Sequence, residues 1–80
     1  MSEEEHRKIV KKLKKKWLGR MFAYKDGSEK PFIIFDVKVD YRPDRQDMNR
    51  LVDSWGNVWF ISEIENTDLF VEVKRERRNV

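Results

Sequence analysis

Eighty residues with no cysteine and one histidine exclude a disulfide framework, a thiolate metal site and a thiol nucleophile. The length allows one small domain, and ten aromatic side chains give it core material that disordered chains lack. The net charge of +3 is a cancellation: residues 1–20 carry +5, residues 21–73 carry −5 and residues 74–80 carry +3.

The chain opens on a helix start. Ser2 is an N-cap, Glu5 stands three positions on as in a capping box, and three glutamates suit the positive end of the helix dipole. Ile9, Val10, Leu13 and Trp17 recur at helical spacing, lysines fill the other faces, and Gly19 is a stop. This predicts a basic amphipathic helix over 3–18.

The period then changes to two. Met21–Tyr24 reads as a short strand, and Asp26-Gly27 opens a turn that runs to Pro31. In the next strand Ile33, Phe35, Val37, Val39 and Tyr41 share one face. Asp36, Lys38 and Asp40 share the other, with Phe32 and Ile34 at its start. Residues 42–47 form a polar loop around Pro43. A third strand is expected over Met48–Trp55 with Leu51 inward, then a Gly56-Asn57 turn and a fourth strand over Val58–Ile61. Leu69, Val71 and Val73 alternate with Phe70 and Glu72 in a fifth. Phe35, Val37, Phe60 and Val71 are the expected core positions of these strands.

The expected fold class is therefore α+β, mainly β. An N-terminal basic helix (1–19) packs on a five-stranded antiparallel barrel (20–74), followed by a basic tail (75–80). The long second strand, the polar loop and the tight Gly56 turn resemble the architecture of SH3, Tudor and KOW-type barrels over residues 20–73. An OB-like barrel, or an open meander sheet covered by the helix, is the alternative.

Catalytic templates fail on inventory. His6 lies in the first helical turn among glutamates and reads as a solvated side chain; the glycines are isolated; Asp36 and Asp40 are roughly 13 Å apart along a strand. Asp44, Asp47 and Asp53 read as turn formers. No enzyme, cofactor or metal is expected. What remains is binding. Lys8, Lys11, Lys12, Lys15, Lys16 and Arg20 form a cationic surface suited to nucleic-acid phosphates, with Arg75, Arg77 and Arg78 as an extension from the tail. Trp55 is the expected base-stacking platform, with Tyr24 and Trp59 behind it. The alternative is an interaction or regulatory module, compact in the manner of phage-type or accessory proteins, that docks its acidic barrel or its helix on a larger protein. Membrane attachment by the helix ranks last, because its apolar stripe is narrow. The absence of an apolar leader predicts a cytoplasmic protein, monomeric or paired through strand edges.

Overall fold

The computed structural model describes residues 1–74. Helix α1 spans Glu3–Trp17, strand β1 Met21–Tyr24, β2 Phe32–Lys38, β3 Arg50–Asp53 and β4 Val58–Phe60. A one-turn helix α2 (Ile61–Ile64) then leads to β5 (Phe70–Val73). All strands are antiparallel neighbours, in the order β4-β3-β2-β1-β5. The expected barrel is not closed. β5 pairs over its whole length with β1, so β4 and β5 stay at opposite ends of the sheet.

Capping chemistry sets α1 as expected. The Ser2 hydroxyl accepts the Glu5 N–H at 3.1 Å, and the chain leaves the helix through Gly19 at φ +84°. The helix runs antiparallel to β2. The Gly19 N–H donates to the Ile34 carbonyl at 2.8 Å at one end. At the other, the His6 Nε2–H donates to the Val39 carbonyl at 3.1 Å and the imidazole stacks on Tyr41, centroids 3.7 Å apart. Fifteen helical residues rise about 22 Å, the length of about seven strand residues, so the two elements match end to end. His6 is thus a half-buried docking residue rather than a solvated one. The inward stripe is His6, Val10, Leu13 and Trp17, and it packs the helix onto its own sheet; Trp17 is only 2% exposed.

β2 corrects the expected alternation. Ile34 pairs with Asp53 and Asp36 with Val52, so Phe35 is an extra residue, a β-bulge. A bulge inverts the inward parity of everything beyond it. Even positions Phe32 and Ile34 are buried before it and odd position Val37 after it. Phe35 is accordingly 56% exposed and is not core. The bulge also divides the strand's partners: β1 lies along Phe32–Ile33 and β3 along the rest. On β5, Phe70 points inward and Val71 is 45% exposed, reversing the expected face. Phe60 is half-buried, because β3 and β4 bury the other face through the Leu51–Trp59 pair.

Other boundaries differ for local reasons. Residues Pro43–Met48 form a 3-10 turn with Pro43 in its first turn, so β3 begins only at Arg50. Buried Asn49 ties this segment down: its Oδ1 accepts the Asp40 N–H at 2.8 Å and its Nδ2 donates to Gln46 at 3.0 Å. Ile61 starts α2 instead of ending β4, where the Glu63 carboxylate accepts the Phe60 N–H at 2.9 Å. The core consists of Trp17, Phe22, Phe32, Ile34, Val37, Leu51, Ile64 and Phe70. Tyr24 and Trp59 complete an aromatic cluster around Phe32 and Phe70 with centroids 5.0–6.3 Å apart.

Candidate nucleic-acid interface

With one stripe of α1 committed to the sheet, its opposite face is fixed toward solvent. Lys8, Lys11, Lys12 and Lys15 occupy i, i+3, i+4 and i+7 there, and all four are exposed. Lys14 and Lys16 flank this row. Among the described residues, the helix's ion pairs involve only its first two cations: Arg7 with Glu3 at 3.1 Å and Lys8 with Glu4 at 3.9 Å. All four side chains are largely exposed, so such pairs contribute at most about 1 kcal/mol. From Lys11 to Lys16 every residue but Leu13 is a lysine. The positive field is therefore concentrated on the C-terminal half of the helix.

Arg20 belongs to a different arrangement. Its Nε and one Nη donate to the two Glu72 oxygens at 2.9 and 2.8 Å, a bidentate clamp from β5 to the entry of β1. The guanidinium also lies 4.3 Å from the Trp17 ring centroid and 5.3 Å from that of Phe22. Hydrogen bonding from Arg20 holds the Glu72 carboxyl below the usual range, and the same bond raises the guanidinium. Arg20 thus locks the helix exit to the sheet. A similar clamp joins Arg42 to Asp40 at 3.0 and 2.9 Å, and holds Asp40 far below an ordinary aspartate.

Arg75, Arg77 and Arg78 lie outside the described residues. The described chain ends at Lys74, one residue past the Val73–Met21 pair. That is the end of the sheet at which α1 hands over to β1.

Trp55 stands apart from the lysines. It sits on the β3–β4 turn, 61% exposed, and its indole N–H donates to the Pro31 carbonyl at 3.1 Å. Pro31 lies about three residues, or roughly 10 Å, along the strand from the Ile34 carbonyl where α1 ends. Trp55, Tyr24, Phe32, Glu29, Lys30 and Asn57 line a cleft of about 500 Å³ in which no helix lysine takes part. Trp59 packs in the aromatic cluster, its indole N–H donating to Asp53 at 2.8 Å.

Asp53 is the turn former its sequence position suggests, but its burial and its bond to Trp59 were not expected. It is 0% exposed and organises the whole β3–β4 turn, accepting from the Trp55 and Asn57 backbones at 2.7 and 2.9 Å. Among the described residues, no group of three or more histidines and carboxylates is placed to hold a metal ion, and no helix is long and apolar enough to cross a membrane. The chain matches no family model, no curated protein and no solved structure.

Proposed function

We propose that this is a non-enzymatic binding protein whose α1 lysine face engages the phosphate backbone of nucleic acid. One observation carries the reading. The apolar stripe of α1 is consumed by its own sheet, and this holds Lys8, Lys11, Lys12 and Lys15 in one exposed row that the described carboxylates leave mostly unpaired. Such a row neutralises phosphates and releases counterions without reading sequence. Arg75, Arg77 and Arg78 add three further cations in sequence just after Lys74. The fold carrying this face is read as an SH3-like barrel left open between β4 and β5. The strand order, the bulged and shared β2, and the one-turn helix before β5 support that assignment.

The test is binding of a short DNA duplex across a salt series. Engaging about four phosphates predicts a loss of roughly 100-fold in affinity between 50 and 200 mM salt. Reversing Lys11, Lys12, Lys15 and Lys16 to glutamate is expected to weaken binding to every sequence alike. Binding by that variant equal to wild type refutes the proposal.

A second reading is favoured by the outer face of the sheet. Phe35, Val58, Val71 and Val73 are exposed there. Half-buried Met21 stands between Val73 and Ile33 in register. This apolar surface suits docking on a larger protein, the interaction-module alternative.

A further inference from the structure

A second cleft opens where the last turn of α1 meets the end of α2 and β5. Its volume is about 310 Å³, and Trp17 is part of its wall. Trp17 supplies the observation that calls for a ligand. The side chain is 2% exposed, and its indole N–H is the one buried side-chain polar group among the described residues with no hydrogen-bond partner. Buried donors are rarely left in this state, because nothing replaces the water they have lost. Two long cationic side chains lie over the ring: Lys16 Nζ is 5.5 Å and the Arg20 guanidinium 4.3 Å from its centroid.

Four charged residues line the cleft, Lys16, Arg20, Glu65 and Glu72, and two of them are spent on each other. Arg20 holds both oxygens of Glu72, at 2.9 and 2.8 Å. That leaves Lys16 and Glu65. Both are exposed, and among the described residues neither is in an ion pair. A simple anion in the cleft would meet Glu65, and a simple cation would meet Lys16. A ligand carrying both charges finds an opposite partner for each. Ile64 and Phe70 add apolar surface to the same lining.

We propose that this cleft binds a free α-amino acid with an aliphatic side chain. Its carboxylate accepts from the Trp17 indole N–H and pairs with Lys16, its ammonium pairs with Glu65, and its side chain lies against Ile64 and Phe70. An ionised acceptor suits an orphaned donor, since charge-assisted hydrogen bonds are the stronger kind. The ligand reaches the indole by displacing Lys16, an exposed and flexible side chain, and leaves the packed core in place. The cleft volume stands at the lower end of the range for small-ligand sites, in keeping with an occupant of this size. A peptide carries its ammonium and its carboxylate at opposite ends, so either terminus would leave Lys16 or Glu65 without a match. The cleft and the cationic face of α1 share Lys16 alone.

The experiment is an NMR titration of the full chain, following the Trp17 indole N–H. The probes are leucine, leucinamide, which lacks the carboxylate, N-acetyl-leucine, which lacks the ammonium, and glycine, which lacks the side chain. Leucine is expected to shift the resonance saturably and downfield, as a donor gaining an acceptor does. Leucinamide and N-acetyl-leucine are each expected to bind roughly tenfold more weakly, the loss of one charged hydrogen-bonding partner. Glycine is expected to bind more weakly than leucine as well. Lys16→Ala and Glu65→Gln change exposed side chains and keep the fold, and each is expected to weaken leucine by a similar factor. In Glu65→Gln the ammonium has lost its partner, so leucine and N-acetyl-leucine are expected to bind alike. No saturable response to leucine, or a response elsewhere in the protein with the Trp17 indole unmoved, overturns the proposal. Leucinamide binding as tightly as leucine also overturns it, and N-acetyl-leucine doing so overturns it in favour of a peptide C-terminus. The titration contains no nucleic acid, so this assignment and the phosphate-binding reading fail separately.

Discussion

Replacing Asp53 with alanine is the most informative single perturbation of this fold. The carboxylate is fully buried, and four donors converge on it: the Trp55 N–H at 2.7 Å, the Asn57 N–H at 2.9 Å, the Asn57 side-chain amide at 3.2 Å and the Trp59 indole at 2.8 Å. Three of these belong to exposed turn residues and regain water when the acceptor is removed. The Trp59 indole is packed in the aromatic cluster and does not. An unsatisfied buried donor costs about 1–3 kcal/mol. Losing the bonds that close the turn adds about 0.5–1.5 kcal/mol for each of the two backbone donors. The desolvation of the carboxylate, recovered on its removal, offsets part of this. The balance is a loss of about 2–4 kcal/mol, against a total of about 4–12 kcal/mol for a domain of this length.

Urea unfolding followed by tryptophan emission measures that loss directly. Asp53→Asn keeps the shape and one acceptor, and is expected to fall between alanine and wild type. An alanine variant within about 1 kcal/mol of wild type, at unchanged m-value, would show that the turn closes without its central acceptor.

Three further outcomes check the rest of the architecture. Trp17→Ala is expected to destabilise the whole domain by about 3–5 kcal/mol in the same assay, and a near-zero effect would mean that α1 is detached from the sheet. Phe35→Ala is expected to cost less than about 0.5 kcal/mol and Val37→Ala about 1.5–2.5 kcal/mol; the reverse order would place the bulge elsewhere. Acid is expected to destabilise the protein in part through Glu72. Its carboxyl is held low by Arg20, so the stabilisation is present above the unfolded value of about 4.3 and disappears as pH falls through the lower folded value. Thermal melts from pH 7 to pH 2 are expected to converge with those of Glu72→Gln at the acid end, and parallel curves across the range would contradict the clamp. Asp40, held low by Arg42, acts in the same direction and persists in that variant.

The parts of this fold set by short-range chemistry were legible in the sequence. Ser2, Glu5 and Gly19 delimit α1 because capping acts within one turn, and Gly56 marks its turn by adopting φ +83°. The bulge at Phe35 was not legible, since odd positions 33 to 41 are apolar or aromatic without a break and nothing in that run marks an extra residue. β5 misled for a related reason: Leu69, Phe70 and Val71 are all apolar, and only pairing with β1 decides which of them faces the core. α2 takes only its first residue, Ile61, from the apolar run 58–61, and four residues are too few to show a helical period. At the candidate interface the lysines were readable because a helix exposes whatever its apolar stripe does not. Arg20 looked like one more cation because its partner, Glu72, is 52 residues away.

α1 has a single apolar stripe, and the sheet has taken it. A helix lying in a membrane surface would need the same side chains, so it would first have to withdraw Trp17 from the core and break the stacking of Arg20 over its ring. On the function proposed above, recognition by the docked helix therefore runs through its lysines. Five lysines within six positions also repel one another, which weakens the helix in isolation. Docking of Val10, Leu13 and Trp17 offsets that repulsion. The sheet therefore does more than carry the cationic row: it holds in helical register a segment whose own charges oppose it, and a polyanion bound there, as proposed above, is expected to stabilise the helix by neutralising those charges.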